Sequence, residues 1–514
     1  MELSNLRFIT SEVAESPRFF RSFTLASAPR KARLVITGLG LYTAFINGKK
    51  AGDAYLAPGF NDYDGYLRYE EIDVADLLQE GENRIEVWLG NGWYKGRFGL
   101  MSFTDSWGKE YLLAAALEGK LSDGEPFCIT TDGSWKASES CIRSDSIYDG
   151  EVRDDTFIPK EEYPCSVVGA DDNMLGDADL AGKPAGPDQP ERFPCDAVIP
   201  GPEGRVYRLT SKLCPPIRAK LTRRAELIHT PAGETVLDFG QNLAGIVRIH
   251  DRMAAGEIVH LTFGEVLING NFCNSNYRDA TGGFTYTSDG VEKDVEPLFT
   301  YFGFRYAKVE ITSADGAEAG EDRIGPEDYT AVVLYTDLEE TMHVHTSDPL
   351  LNRLLENSLW GQRSNFLDVP TDCPQRNERL GWTGDAQVFS GTACFHMNCE
   401  DFYRKYLRDL RFDQTAYMHG DIPMFSPCQK DGAPGGPAWA DAAVVIPWTM
   451  YRQYGNRAYL EEAYPMMRDY MEVLIRKDQQ DGGTHILTSG HCFGDWLALD
   501  GASPNAFKGG TDDV

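Results

Sequence analysis

The sequence has no long apolar run and no basic start followed by one. Its amino terminus, MELSNLRFITSEVAES, lacks the pattern of a secretory signal. No later segment forms the uninterrupted apolar run of about 20 residues that a membrane-spanning helix needs. The sequence therefore predicts no membrane partner, and we expect the protein in the cytoplasm.

Basic residues are scarce relative to acidic ones. The chain has 49 lysines and arginines against 79 aspartates and glutamates, and its formal net charge is -30 over 514 residues. Such a charge repels nucleic acids and anionic membrane surfaces, so we expect no nucleic-acid partner and favour neutral ligands. A chain of this length is expected to fold into several domains, each with its own core.

The cysteines show no paired pattern. There are 11 of them, an odd number, with no C-x-x-C pair and no histidine-rich spacing. Neither a disulfide framework nor a zinc site is predicted, and free thiols agree with a reducing compartment. We expect each cysteine, Cys373 included, to be a small buried apolar residue.

The first 166 residues predict an antiparallel β-sandwich of the jelly-roll type. From about Arg18, short alternating segments rich in β-branched and aromatic residues are separated by turn residues, and Asn47-Gly48 is a strong hairpin signal. Trp93 and Tyr94 are more simply explained as core residues than as sugar contacts, and Asp62 and Asp64 as turn caps.

Residues 167–194 predict a linker or surface loop, because the segment is rich in Gly, Asp, Ala and Pro. Residues 195–338 again alternate in the manner of strands, which predicts a second β-sandwich. A loop of this second domain could lend a residue to a site on its neighbour.

Residues 339–514 predict a helical domain. Near Asp348 the apolar period changes to about 3.6, with Leu351, Leu354 and Leu359 on one side of a helix that Asp348 could cap. Four further helices follow, joined by loops of unequal length. This pattern favours an α/α barrel with its site in the loops at one end.

The stretch DVPTDCPQRNERLGWTGD, residues 368–385, is the best candidate for that site. It combines charged residues with Trp382, and its prolines and glycines prevent a long helix. If it folds back on itself, Asp372, Glu378 and Asp385 converge, and crowded carboxylates beside an apolar ring suit acid catalysis of glycoside cleavage. The alternative is a solvated loop in which Asp372 and Arg376 form a surface ion pair of little energetic value.

The segment DCPQRNERLGWTGDAQ resembles the signature of the bacterial and fungal α-L-rhamnosidases, the family 78 glycoside hydrolases. The segments DFGQNLAG, FGEVL and EPLFTYFGFRYAKVE are similar to their second sandwich. The resemblance implies two sandwiches followed by a six-hairpin (α/α)6 catalytic barrel. Asn377 stands where many relatives carry a second acid, while the position of the acid itself is intact.

The resemblance also implies roles for individual residues. Glu378 falls on the general acid, and the positions that line the rhamnose subsite are matched by Asp372, Arg376, Trp382, Asp385 and, by rough spacing, Trp439 and Trp496. Asp441 and Asp495 are weaker candidates for hydroxyl contacts. No metal or organic cofactor is implied.

We therefore expect hydrolysis of terminal α-L-rhamnose from plant glycosides or polysaccharides, with inversion. Two alternatives remain open at this stage. One is a six-hairpin enzyme acting on uronic-acid sugars, and the other is a non-catalytic carbohydrate-binding protein. Association into a homo-oligomer is left open as well.

The resemblance further implies a general base far downstream of Glu378, whereas the sequence stops at Val514. The helices predicted after Ser347 are about half of those in a closed six-hairpin barrel. We expect an amino-terminal fragment with the first half of the barrel, the base beyond residue 514 and little hydrolytic activity alone. Were the chain active, Asp495 or Asp500 would be the first bases to test.

Overall fold

The computed structural model describes residues 2–169, 195–211, 213–317, 323–428, 432–490, 493–496 and 508–509. Apart from residues 167–169, the predicted linker at 167–194 lies outside this set. Within the set, no helix combines the length and the apolar composition needed to cross a membrane. The ten cysteines of these ranges are all free thiols, and six of them are buried.

The N-terminal region forms a sandwich of two six-stranded sheets, as the alternating pattern predicts. One sheet contains, in spatial order, Ser166–Val167, Ile9–Thr10, Leu112–Leu121 (also paired with Pro126–Thr130), Pro29–Leu39 and Glu70–Asp73. The other contains Tyr163–Pro164, Lys136–Glu139, Pro17–Leu25, Gly81–Gly90, Leu41–Ile46 and Lys49–Lys50. Ile36 and Leu113 of the first sheet share a buried cluster with Phe19 and Val87 of the second, which makes the two sheets one core.

The hairpin predicted at Asn47-Gly48 is confirmed. Ile46 pairs with Lys49 across a two-residue turn. Asn47 has φ 51° and Gly48 has φ 77°, and a turn of this kind needs positive φ at both positions. Trp93 and Tyr94 are buried, and the carboxylate of Asp62 accepts a hydrogen bond of 2.9 Å from the backbone N–H of Asp64. The structural explanation is therefore confirmed for Trp93, Tyr94 and Asp62, whereas the carboxylate of Asp64 accepts a hydrogen bond from the hydroxyl of Tyr417.

A single 11-stranded sheet, called here the central sheet, takes the place of an isolated second sandwich. Its strands are, in spatial order, Ile142–Ser146, Gly150–Asp154, Gly283–Thr287, Ile258–Gly264, Phe302–Thr312, Thr235–Asp251, Tyr329–Thr336, Ile217–Arg224 and Ala54–Tyr55, with Glu226–His229 and Lys293–Val295 also paired to Thr235–Asp251. The long strand Thr235–Asp251 pairs with several neighbours and joins them into one sheet.

The central sheet takes strands from both predicted β domains. Gly150–Asp154 pairs in parallel with Gly283–Thr287, so the predicted boundary at residue 166 does not separate two independent sheets. Gly150 has φ 103°, and a Cβ atom there would lie 1.7 Å from the carbonyl oxygen of Gly283. Only glycine permits this close approach of the two strands.

Shorter strands complete the β structure. They are Leu67–Arg68 with Ala197–Pro200 and Val206–Thr210, the hairpin Val266–Ile268 and Asn271–Cys273, the hairpin Phe366–Leu367 and Val369–Pro370, and the pair Asp495–Trp496 and Lys508–Gly509. The first of these groups pairs Leu67 with Leu209 and adds a further link between the two β regions.

The helices are α1 (Gly92–Lys95), α2 (Pro349–Asn365), α3 (Thr383–His396), α4 (Glu400–Ala416), α5 (Ala442–Tyr454) and α6 (Ala458–Gln480). The five predicted helices correspond to α2–α6, and the predicted cap is confirmed because Asp348 accepts hydrogen bonds from the N–H groups of Leu350 and Leu351. α5 packs against α3, α4 and α6, while α2 packs against the central sheet.

The apolar side predicted for α2 is not a buried face among the described residues. Leu351 and Leu354 are exposed, Leu359 is half-buried against the core, and the helix buries Trp360 and Gln362. Burial near the end of α2 follows from its contact with the central sheet, which the leucine spacing does not reveal.

Candidate functional site

The motif loop, residues 368–385, folds back on itself as predicted. It starts in the hairpin before Pro370 and ends in the first turn of α3. The N–H of Asp372 donates to the carbonyl of Leu380 at 3.1 Å, and the N–H of Leu380 donates to Asp372 Oδ1 at 3.0 Å. This closure brings Asp372 close to Glu378.

Arg376 joins the two carboxylates. Its Nε lies 2.8 Å from Glu378 Oε2, and its Nη2 lies 3.2 Å from Asp372 Oδ2. The carboxyl groups are largely enclosed, since the side chain of Glu378 is only 10% exposed and that of Asp372 only 7%. The alternative of a solvated surface ion pair between Asp372 and Arg376 is therefore wrong.

A second guanidinium reaches Glu378 from a loop that precedes the strand Gly283–Thr287 of the central sheet. Nη1 of Arg278 lies 2.9 Å from Glu378 Oε2, the same oxygen that Arg376 contacts. Arg278 follows the short turn Ser275–Tyr277 and is the residue that the second β domain lends to the site. Sequence reasoning allowed for such a residue without identifying it, because nothing in the polar stretch NSNYRDAT distinguishes this arginine.

Burial and neighbouring charges raise the pKa values of two acids in the loop, Asp372 and Asp385. Burial, with a further contribution from the charge of Glu378, raises the pKa of Asp372 to about 7. The pKa of Asp385, in the first turn of α3, is raised by partial burial and again by Glu378. The site therefore holds a carboxyl group, Asp372, that changes charge near neutrality.

Three predicted tryptophans meet at one phenylalanine that the prediction missed. The ring centroid of Phe493 lies 4.4 Å from that of Trp439, 5.5 Å from that of Trp496 and 6.1 Å from that of Trp382. Trp382 also packs edge-on against Phe425. The structure thus brings together the aromatic residues that the sequence assigned to one pocket.

Gly384 allows the ring of Trp439 to approach the backbone of the motif loop. A Cβ atom at this position would lie 2.7 Å from the ring of Trp439, so the ring packs directly on the backbone of the motif loop. Asp385 is the next residue. In the described part of the chain the buried indole nitrogens of Trp382 and Trp439 have no hydrogen-bond partner, as is also the case for Trp93 of the N-terminal region.

Asp368, the first residue of the motif loop, belongs to the scaffold. It is buried, and its Oδ1 accepts a hydrogen bond of 2.8 Å from Arg68 of the N-terminal sandwich. Burial opposes its ionisation, but Arg68 and Lys405 outweigh burial and lower its pKa. This ion pair attaches the start of the motif loop to the sandwich.

Arg379 also points into the scaffold. It is fully buried, and its guanidinium donates to the carbonyl oxygens of Ile147 at 2.7 Å and Tyr301 at 2.8 Å. It further donates to Gln375 within the loop at 2.9 Å. Because these carbonyls come from both β regions, Arg379 fixes the loop to each of them.

Glu378 is also held through its backbone. The carbonyl of Glu378 accepts a hydrogen bond from the hydroxyl of Tyr148, a buried residue next to the strand Gly150–Asp154. No local signal marks this tyrosine, since it stands among other residues of β-type segments.

The weaker candidates are only partly described. Asp441 Oδ2 accepts from the N–H of Ala438 at 3.0 Å and its Oδ1 from the hydroxyl of Tyr470 at 3.2 Å, which places α5 against α6. The side chain of Asp495 and the whole of Asp500 lie outside the described residues.

Asp372, Cys373 and Glu378 have the spacing of a metal site, with ligand atoms within 4.8 Å of one another, and they are the one such group among the described residues. The donor set does not suit a cation. Arg376 and Arg278 already contact the carboxylates, and burial together with Asp372 raises the pKa of the Cys373 thiol, which keeps it protonated. The buried state of Cys373 agrees with its predicted structural role.

A cleft of about 410 Å³ lies beside Asp372 and Asp385, and Glu378 is not among the residues that line it. It is bounded by α2, α3 and the motif loop, and Asp372, Asp385 and Phe389 are among its lining residues. This volume is within the range of about 300–1,000 Å³ that is usual for small-molecule sites.

Three family models match consecutive parts of the chain. They are the alpha-L-rhamnosidase N-terminal domain at residues 27–174, the bacterial alpha-L-rhamnosidase concanavalin-like domain at 228–335 and the bacterial alpha-L-rhamnosidase six-hairpin glycosidase domain at 339–513. This chain belongs to the α-L-rhamnosidase family. The family matches agree with the two β regions and the helical region observed here.

Individual α-L-rhamnosidases align with nearly the whole chain. The enzyme of Streptomyces avermitilis is 36% identical over 476 residues, which cover 92% of this chain and 42% of that protein. The structure of the native Aspergillus terreus enzyme superposes with a TM-score of 0.79 at 32% identity, covering 97% of this chain and 55% of that one. The Streptomyces avermitilis enzyme, solved in complex with L-rhamnose, has the same TM-score at 32% identity and covers 95% and 44%. The chain thus spans about half the length of the curated relatives it matches.

Proposed function

We propose that this protein takes part in hydrolysis of terminal α-L-rhamnosides, with Glu378 as the general acid. The observation that carries the proposal is the enclosed cluster in which Arg376 joins Glu378 to Asp372 in a loop bearing the family signature. Glycoside cleavage needs an enclosed carboxyl group that protonates the leaving oxygen, and Glu378 is suited to that position.

We propose that the remaining predicted residues bind the rhamnose ring. Asp372 and Asp385 would accept hydrogen bonds from sugar hydroxyls, and Arg376 would fix the carboxylates. The tryptophans, Trp382, Trp439 and Trp496, would cover apolar faces of the sugar. Support comes from their gathering around Phe493 and from the packing of Trp439 on Gly384, next to Asp385.

The proposed mechanism is inverting. A second carboxylate, about 6.5–9.5 Å from the acid in such enzymes, deprotonates water on the opposite face of the sugar. We assign that base to no described residue. For the helical region, we propose that α2–α6 are part of a six-hairpin barrel, which is supported by the family match to residues 339–513.

Sugar recognition is tested by calorimetry with L-rhamnose, using L-fucose as the control sugar. We expect L-rhamnose to bind and L-fucose to bind much more weakly. Equal affinity for the two sugars would contradict the proposed subsite.

Catalysis is tested by release of p-nitrophenol from a panel of aryl glycosides. When the assay uses an enzyme that also carries the general base, we expect release from the α-L-rhamnoside alone. Release from an aryl glucuronide instead would support an enzyme acting on uronic acids, for which Arg278 and Arg376 offer two cations. Rhamnose binding without release from any glycoside would support a non-catalytic carbohydrate-binding protein.

A further inference from the structure

Glu378 is held by two arginines through one oxygen. Arg376 and Arg278 both donate to Oε2, at 2.8 and 2.9 Å. Within the described residues, Oε1 of Glu378 accepts no hydrogen bond from the protein. The two guanidinium groups therefore orient the carboxyl group with Oε1 available to a ligand.

The two arginines are not equivalent. Arg376 is anchored at two carboxylates, Glu378 and Asp372, and its side chain is 30% exposed. Arg278 contacts Glu378 through Nη1 only, and its side chain is 51% exposed. A guanidinium has five N–H donors, so most donors of Arg278 are available to solvent or to a ligand.

The turn that carries Arg278 is strained and held in place. Arg278 has φ 60° and ψ -117°, a backbone conformation that residues other than glycine rarely adopt. Residues in such conformations cluster at functional sites. Arg97 of the N-terminal sandwich donates to Asp279 Oδ2 at 3.0 Å and to the Asp279 carbonyl at 3.2 Å. The N–H of Thr281 donates to Asp149 Oδ1 at 3.2 Å. These contacts hold the backbone that directly follows Arg278.

We propose that Arg278 belongs to the leaving-group subsite and binds a carboxylate on the aglycone, such as that of a uronic acid, while it orients Glu378. This inference rests on the proposed function. The residues proposed to bind rhamnose all belong to the helical region, whereas Arg278 lies in the second β region, in the loop that precedes the strand Gly283–Thr287. The acid of a glycosidase stands at the oxygen that joins the sugar to its leaving group, so a guanidinium that contacts Glu378 is within reach of the aglycone. An exposed guanidinium there matches a carboxylate in charge and in geometry.

The test compares two disaccharides that differ only in the charge of the second sugar, rhamnosyl-glucuronate and rhamnosyl-glucose. Their dissociation constants are measured by calorimetry for the wild-type protein, Arg278→Ala, Arg278→Lys and the control Arg305→Ala. Arg305 is an arginine of the same β region, in the strand Phe302–Thr312, and it pairs with Asp238. Thermal unfolding of each variant shows whether its fold is intact.

We expect the wild-type protein to bind rhamnosyl-glucuronate roughly 10 to 100 times more tightly than rhamnosyl-glucose, the range for a charge-assisted hydrogen bond. Arg278→Ala should abolish this preference, Arg278→Lys should restore part of it and Arg305→Ala should keep it. Higher salt should weaken the preference in the wild-type protein. If Arg278 had only a structural role, Arg278→Ala would weaken the binding of both disaccharides equally.

An unchanged preference in Arg278→Ala, or no preference in the wild-type protein, would overturn the proposal. Equal affinity for methyl glucuronide and for rhamnosyl-glucuronate would overturn it as well, because the carboxylate would then occupy the rhamnose subsite. Product release from an uncharged aryl rhamnoside is measured in parallel. Absence of product release would count against the proposed hydrolysis. The role of Arg278 would still be decided by the ratio of the affinities for the two disaccharides.

Discussion

The hydroxyl of Tyr148 donates a hydrogen bond of 2.7 Å to the carbonyl oxygen of Glu378. The same hydroxyl accepts a hydrogen bond of 2.9 Å from the N–H of Gly99, and the ring of Tyr148 stacks on Phe98. The backbone of the proposed acid is therefore positioned by residues from the first part of the chain, far from the motif loop in sequence.

Replacing Tyr148 with Phe should lower turnover while the fold is kept. Loss of the hydroxyl removes a hydrogen bond worth about 0.5–1.5 kcal/mol, so we expect a decrease of about 2- to 10-fold in kcat with little change in rhamnose affinity. Tyr63→Phe is the matched control, since Tyr63 makes a similar buried hydrogen bond to the Gly59 carbonyl. Equal effects of the two variants on kcat would show that Tyr148 has no special relation to the acid.

The effect of Glu378→Gln on turnover should depend on the leaving group of the substrate. We expect turnover of rhamnosides with poor leaving groups to fall by roughly 10²–10⁴-fold, because glutamine cannot supply a proton. Activated aryl leaving groups need little protonation and should be affected less. The measurement is a comparison of kcat for the two substrate types in a preparation that hydrolyses rhamnosides. Equal losses on both would rule against Glu378 as the acid.

Asp372→Asn should weaken rhamnose binding and remove its pH dependence near neutrality. A pKa of about 7 means that Asp372 is ionised above this pH, where it accepts the stronger hydrogen bond from a hydroxyl. Wild-type affinity should therefore fall as the pH decreases through 7, while the affinity of the variant stays flat and is roughly 10- to 100-fold weaker at pH 8. Asp385→Asn should also weaken binding, and Asp238→Asn on the central sheet should not. Calorimetry from pH 5.5 to 8.5 checks these expectations, and a wild-type affinity independent of pH would contradict them.

Arg379→Met should destabilise the protein much more than a surface arginine variant. The substitution leaves the buried carbonyls of Ile147 and Tyr301 without a donor, and such groups cost about 1–3 kcal/mol each. Arg353→Met is the control, since Arg353 forms an exposed ion pair with Glu356 worth at most about 1 kcal/mol. Urea unfolding of both variants measures the difference. Similar free energies of unfolding would mean that Arg379 does not anchor the motif loop.

The features that could be predicted from the sequence are those with local causes. The Asn47-Gly48 turn depends on two adjacent residues, and the cap at Asp348 depends on N–H groups two and three residues away. The closure of the motif loop likewise joins Asp372 to Leu380 over a short separation. Propensity and spacing describe such contacts well.

The features that could not be predicted depend on distant contacts or on the direction of a side chain. Arg278 is 100 residues from Glu378, and Tyr148 is 230 residues from it. Within the irregular motif loop no period distinguishes side chains that face the site from those that face the scaffold. For this reason Asp368 and Arg379 could not be separated from Asp372 and Arg376 by residue type alone.

The parallel pairing of Gly150–Asp154 with Gly283–Thr287 has a practical consequence for protein engineering. A chain cut near residue 166, between the two predicted β domains, would separate Gly150–Asp154 from Gly283–Thr287 and would leave the central sheet without three of its strands, Ala54–Tyr55, Ile142–Ser146 and Gly150–Asp154. The first β region is therefore a poor choice for a detachable sugar-binding tag. Chimeras between related enzymes should exchange residues 2–338 as one block, because a side chain at position 150 would clash with the backbone of Gly283.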